Sequence, residues 1–306
     1  MFGVFVSFYF ARGGYEARDC TSEYSIGSFE LDKSGLMKRI VLLFILIFLC
    51  LSRMTAQIQE ILPLGVAPGG AGVVFTERWL AFGNPAVLGR ESSVVASVGY
   101  ENRYFAEELS DEYLSVAVPT KFFNVGVSFN FFGYADYHEM MAALTLARRW
   151  GVVALGVEFD YFNMYLPDGV GYRHSATAQV GLQVDVTEKC VLGVRMFNPM
   201  FAQVDYNDVA RRLPVMMHVG CNYGLMRDLD VLVQVGYVLN RGVDWAVGAE
   251  YRIMEELLVR VGARGADYVV PSLGVGVKFG GFGFDLMAEA DLRIGMSLLS
   301  NLAYRF

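Results

Sequence analysis

His138, His174 and His218 are the only three histidines of the chain, and each falls in a separate segment. No H-x-x-x-H, C-x-x-C or carboxylate cluster has the spacing of a metal site, and no G-x-S-x-G elbow presents a nucleophile. A hydrolytic site needs a convergent Ser/His or Asp/His set, which these scattered histidines do not supply. The expectation is no catalytic, cofactor-binding or metal-binding residues. The informative side chains are charged and recur on one polar face: Glu158, Asp160, Asp230, Glu250, Arg252, Arg260, Lys278, Asp285 and Glu289. Arg260, Lys278 and Asp285 belong to three successive segments and are candidate neighbours. Opposite charges so arranged pair across strands as a structural lining, hold a plug, or gate a ligand path.

The elements that carry these charges are strands. In VDWAVGAEYRI (243–253), Trp245, Val247, Ala249, Tyr251 and Ile253 alternate with Asp244, Ala246, Gly248, Glu250 and Arg252. Period-2 alternation is a strand signal. Similar segments recur near 92–101, 112–119, 121–132, 137–148, 151–162, 173–186, 189–198, 212–223, 229–239, 243–253, 256–264, 271–279, 281–290 and 295–306. The connections alternate too. ENRYFAEELSDEY, NMYLPDGVGYR, NPMFAQVDYNDVARRL and RGADYVVP read as long and polar, whereas Pro119-Thr120, Arg149-Trp150, Thr187-Glu188 and Gly280 read as tight turns. Long loops at one end and short turns at the other are the habit of outer-membrane barrels.

Composition agrees. The chain is 54% hydrophobic and only 19% charged, against about 25% charged in a typical soluble protein, and its mean hydropathy is +0.37. No 18-residue apolar run follows residue 56, which argues against membrane-spanning helices. The net charge of −7 argues against nucleic-acid partners. In a barrel Val247 faces lipid and Gly248 the lumen, so Val247→Arg is expected to be costly and Gly248→Ser better tolerated.

The longest apolar run, VLLFILIFLCL (41–51), follows Lys38-Arg39. It is too short to span a bilayer and reads as the core of a signal peptide at 37–56, with the mature chain starting at Gln57; a buried helix is the alternative. Residues 1–36 then lie upstream of a true start at Met37. Cys50 is a poor lipidation site, because Leu49 precedes it. Cys190 and Cys221 sit on the apolar faces of their segments, and two cysteines give no disulfide framework. The first long connection sets Glu101, Glu107, Glu108, Asp111 and Glu112 against Arg103 alone, and reads as a solvated acidic loop.

Residues 57–91 break the strand pattern. GVAPGGAGVVFTERWLAFGNPAVLGR lacks the Gly-Lys-Ser/Thr of a phosphate loop and reads as a hatch folded into the lumen. Trp79, Leu80 and Phe82 would supply packing, Glu77 or Arg78 would meet a lumen charge, and Asn84-Pro85 would turn the chain into the wall. The chain ends NLAYRF, with Leu302, Tyr304 and Phe306 on one face; this resembles the signal read by the barrel assembly machinery.

The glycine-rich stretch followed by Phe82-Gly83-Asn84-Pro85-Ala86 and a first strand resembles the start of the FadL-like superfamily. Within it the chain is most similar to the PorV/PorQ type of Bacteroidetes. The fold expected is therefore all-β: a transmembrane antiparallel up-and-down β-barrel of about fourteen strands at 92–306, in the bacterial outer membrane, with a small N-terminal hatch at 57–91. The resemblance implies a non-enzymatic accessory of protein export or surface attachment, of the type IX secretion kind. Its partners would be outer-membrane lipid and secreted proteins or secretion-system subunits. The alternative is a FadL-like passive channel for hydrophobic small molecules. The short loops and many lumen charges tilt the expectation toward the accessory.

Overall fold

The computed structural model describes residues 65–76, 78–167, 171–206 and 209–306. The upstream segment, the signal peptide, Gln57 and Glu77 lie outside the described residues. Sixteen strands follow one another: β1 (Val95–Asn102), β2 (Ser110–Val118), β3 (Asn124–Gly133), β4 (His138–Trp150), β5 (Val153–Leu166), β6 (Gly171–Thr187), β7 (Cys190–Phe197), β8 (Gln203–Tyr206), β9 (Val209–Arg212), β10 (Met216–Met226), β11 (Leu229–Val238), β12 (Gly242–Met254), β13 (Leu257–Gly265), β14 (Val269–Phe279), β15 (Phe282–Asp291) and β16 (Gly295–Arg305). Fourteen of them close into an antiparallel barrel, while β8 and β9 form a separate hairpin. Closure pairs Val95 with Arg305 and Asn102 with Leu298, and the amide of Phe306 donates to the carbonyl of Val94 at 2.9 Å. A closed sheet leaves no edge.

Alternation sets which residues face out. On β12, Val247, Tyr251 and Ile253 are exposed while Asp244 and Glu250 are buried. Val98, Leu114, Phe129, Leu144, Phe159 and Leu273 continue the exposed apolar band around the wall. A band of that extent in contact with water would drive aggregation; around a closed barrel it meets lipid. The protein is a multi-pass outer-membrane β-barrel, and its short turns gather at one end, the end that such barrels keep in the periplasm.

Two expected loops are mostly strand. NMYLPDGVGYR is absorbed by β5, which runs to Leu166, and by β6, which starts at Gly171. RGADYVVP shrinks to the turn 266–268 between β13 and β14. Outward aromatic pairs accompany this extended pairing. Tyr165 and Tyr172 face each other across β5 and β6 with ring centroids 5.1 Å apart, and His138 stacks on Tyr165 at 5.0 Å. The large connections that remain are 103–109 and 198–215, the second of which carries the β8–β9 hairpin.

Inside the wall, residues 65–76 and 78–91 run as extended chain with three short 3-10 turns, Pro68–Gly70, Gly72–Val74 and Pro85–Arg90. The wall admits this backbone through cross-strand glycine pairs. Gly156 faces Gly181, Gly193 faces Gly220, and Gly248 faces Gly262. A Cβ on Gly248 would lie 2.3 Å from the carbonyl oxygen of Pro68, and one on Gly156 would lie 2.3 Å from the carbonyl carbon of Pro85. Glycine is used here for close backbone approach, so the tolerance expected of Gly248→Ser is corrected: the position faces packed backbone, not open lumen.

Candidate functional site

The site is the filled lumen, and it is built in two storeys. The periplasmic storey is the N-terminal segment. Asn84, buried to 1% exposure, sits at its centre. Its Oδ1 accepts from the amide of Ala86 at 3.0 Å, capping the turn that Pro85 opens. Its Nδ2 donates to the carbonyl of Val73 at 2.8 Å and reaches those of Val194 at 3.3 Å and Leu182 at 3.5 Å in the wall. One side chain thus joins two parts of the segment to β6 and β7. Ala86 is fully buried, and Phe82 is buried with a φ of +56°, a conformation that costs energy for a residue with a Cβ and is held here by packing.

Further polar contacts fix the segment. The amide of Val73 donates to Gln234 Oε1 at 3.0 Å, and Gln183 Nε2 donates to the carbonyl of Val73 at 3.1 Å. Asn124 donates to the carbonyls of Leu88 and Glu91, both at 2.7 Å. Arg90 pairs with Asp185 at 2.6 Å at the periplasmic rim. The amide of Trp79 donates to Glu91 at 2.9 Å, and its ring lies against Gly126.

The lumen charges divide into groups. Asp285 lies between two arginines, 2.6 Å from Arg78 and 2.5 Å from Arg260. Arg260 also holds Glu250 at 2.6 Å, and its guanidinium stands over the ring of Phe75, 5.5 Å from the centroid. Glu289 pairs with Arg264 at 2.9 Å. Glu158 accepts from Thr145 and Gln179, and Asp160 is buried beside it on β5. Arg252, Lys278 and Asp230 are half-buried nearer the periplasmic ends of their strands. Lys278 stands opposite Gly283, whereas Asp285 faces Gly276 and Arg260 faces Gly274, so Arg260 reaches Asp285 diagonally. The acidic first connection is only partly solvated. Glu107, Glu108 and Glu112 are exposed, but Glu101 and Asp111 point inward from a direct cross-strand pair and share Arg103, at 2.9 and 2.7 Å.

The outer storey holds a large apolar cluster beside the Glu101, Asp111 and Glu139 carboxylates. Phe82 packs in one buried cluster with Tyr113, Met141, Phe162, Met164, Phe197, Met216 and Val238 from the wall, and with Val204 and Leu213 from the long connection. The connection is pinned over the mouth by Asn198. Its Nδ2 donates to the carbonyls of Ala202 at 3.1 Å and Leu213 at 3.0 Å, and its Oδ1 accepts from the amide of Ala202 at 2.8 Å and from Thr177 at 2.7 Å. Sequence reasoning missed this storey. Its signal is a lapse of alternation, where Met140-Met141, Tyr161-Phe162, Met196-Phe197 and Met216-Met217 put apolar residues on both faces.

Leu302, Tyr304 and Phe306 lie on the outward face of the closing strand. The ring of Tyr304 is 4.5 Å from that of Phe282 and 4.7 Å from that of Phe306.

No protein-family model matches the chain, and no curated protein matches its sequence. Solved structures do match in fold. The toluene transporter TodX of Pseudomonas putida superposes with a TM-score of 0.55 at 11% identity, covering 78% of this chain and 96% of that one. The monoaromatic hydrocarbon channel CymD gives 0.56 at 12%, covering 79% and 97%. A FadL homologue of Pseudomonas aeruginosa gives 0.54 at 11%, covering 78% and 96%. The barrel has the FadL-like fold.

Proposed function

We propose that the protein is a passive outer-membrane channel for hydrophobic small molecules. The observation that carries this reading is the apolar cluster of the outer storey. A pore for polar solutes is lined by polar side chains, whereas a site for an apolar ligand is lined by apolar and aromatic ones. Here a buried apolar cluster joins Phe82 of the N-terminal segment to Val204 and Leu213 of the mouth. Neighbours of the same fold that carry toluene and monoaromatic hydrocarbons support the same class of substrate.

The export-accessory reading, with the PorV/PorQ likeness of the Phe82–Ala86 motif behind it, drew on the lumen charges. Several of those charges are satisfied internally, Asp285 by Arg78 and Arg260, and Glu250 by Arg260, and so call for no protein partner. The test is uptake of a radiolabelled monoaromatic hydrocarbon by liposomes containing the purified protein, paired with a pull-down from the outer membrane. Uptake above empty liposomes, lost in Met141→Lys, is expected. No uptake, with stoichiometric recovery of a secretion subunit, would return the accessory reading.

A further inference from the structure

Cys190 and Cys221 are the two cysteines among the described residues, and they lie side by side. Cys190 opens β7 immediately after the periplasmic turn at Glu188-Lys189. The register sets it opposite Tyr223, and sets Cys221 opposite Leu192, so the cysteines are diagonal neighbours on the outward face. Their sulfurs are 3.7 Å apart, and both side chains are partly exposed. The position is unusual in chain terms. β7 and β10 are neighbours in the wall but not in sequence, because the β8–β9 excursion leaves between them.

We propose that Cys190 and Cys221 form a disulfide that fastens β7 to β10 at the foot of that excursion. An outer-membrane chain crosses the periplasm, which is kept oxidising. The oxidant is a disulfide carried by a periplasmic thiol–disulfide exchange protein. The thiolate of one cysteine attacks that disulfide and releases one carrier thiol. The second cysteine's thiolate then displaces the other carrier sulfur from the mixed disulfide. The products are the Cys190–Cys221 bond and a dithiol carrier, with the two protons of the chain's thiols passing to the carrier. The sulfurs are 3.7 Å apart and must approach to the about 2 Å of a disulfide bond. The link restricts the unfolded chain between residues 190 and 221, the stretch that includes Asn198, Val204 and Leu213 of the outer storey.

The test uses the full chain isolated from the outer membrane in denaturant, with N-ethylmaleimide present from lysis. Non-reducing trypsin digestion cuts after Lys189, Arg195, Arg212 and Arg227. The expected product is peptide 190–195 joined to peptide 213–227, lighter than their sum by two hydrogens and separated by dithiothreitol. In Cys190→Ser the peptide with Cys221 is expected to carry maleimide. On gels, wild type is expected to lose its compact band at a temperature several degrees above the Cys190→Ser/Cys221→Ser variant, and dithiothreitol is expected to remove the difference. Maleimide on both peptides of the wild type, a link from either cysteine to Cys20 or Cys50, or equal melting of wild type and double variant would each overturn the proposal.

Discussion

Arg78 of the N-terminal segment and Asp285 of β15 are 2.6 Å apart, with both side chains buried. The pair ties the plug to the wall, and Arg260 completes it by bridging Asp285 to Glu250. The two arginines differ in what their loss leaves behind. Arg78→Met leaves Asp285 its contact with Arg260, whereas Arg260→Met takes a partner from Glu250 and from Asp285 at once. Breaking a buried pair costs about 3–5 kcal/mol. Arg260→Met is therefore expected to lose stability in that range and Arg78→Met clearly less, measured by urea unfolding from liposomes. The opposite order would mean that the N-terminal segment, not the wall, depends most on this cluster.

Val247 and Gly248 are adjacent on β12 and test the two faces together. Val247 is outward and 39% exposed, so Val247→Arg is expected to cost about 2–4 kcal/mol if it lies near the bilayer midplane. Gly248 meets the Pro68 carbonyl, where even a Cβ would stand 2.3 Å from the oxygen. Gly248→Ser must push the segment out of its groove. It is expected to match or exceed the loss at Val247, and to expose residues 65–91 to protease in otherwise folded barrels. A Gly248→Ser protein with wild-type stability and protease resistance would contradict the packing.

How much of this was legible in the sequence depends on how local the cause is. Alternation is local, so every wall strand and its facing were readable, as Val247 and Glu250 show. Asn84 bonding two residues on to Ala86 is equally local. Gly156 and Gly181 are visible as inward glycines, but what they admit, the Asn84–Pro85 backbone, comes from a distant part of the chain. Glu101 and Asp111 read as solvated because their loop is acidic. Only the pairing of β1 with β2 shows that they share Arg103 inside the wall. Phe162 and Phe197 look like lapses of a pattern until the 198–215 connection is seen to fold over them.

The last strand carries a proposal of its own, that Leu302, Tyr304 and Phe306 are read by the barrel assembly machinery. Phe306 is 72% exposed, and its ring touches that of Tyr304. Its side chain therefore contributes little to the finished barrel, whose closure uses only its amide. Phe306→Ala is expected to lower the folded protein in the outer membrane several-fold, while protein refolded into detergent keeps its unfolding midpoint. Equal losses in the two assays would make Phe306 a structural residue instead.

Asn84 and Asn198 play matching parts at opposite ends of the lumen. Each is buried to 1% or less, and each donates through Nδ2 to carbonyls of separate stretches while its Oδ1 caps a nearby amide. Aspartate is the sharpest probe, because it keeps the capping oxygen and replaces the donor with an acceptor. At both sites a carboxylate oxygen would face backbone carbonyls without a proton to share, a buried polar mismatch of about 1–3 kcal/mol or more. The consequences should differ because the storeys differ. Asn84→Asp loosens the segment that fills the periplasmic half, and is expected to give steady conductance in planar bilayers. Asn198→Asp frees only the cover over the apolar cluster. It is expected to change hydrocarbon uptake while leaving the bilayer electrically silent, since residues 65–91 still fill the barrel. Conductance from Asn198→Asp but not from Asn84→Asp would reverse the assignment, and make the outer connection the seal.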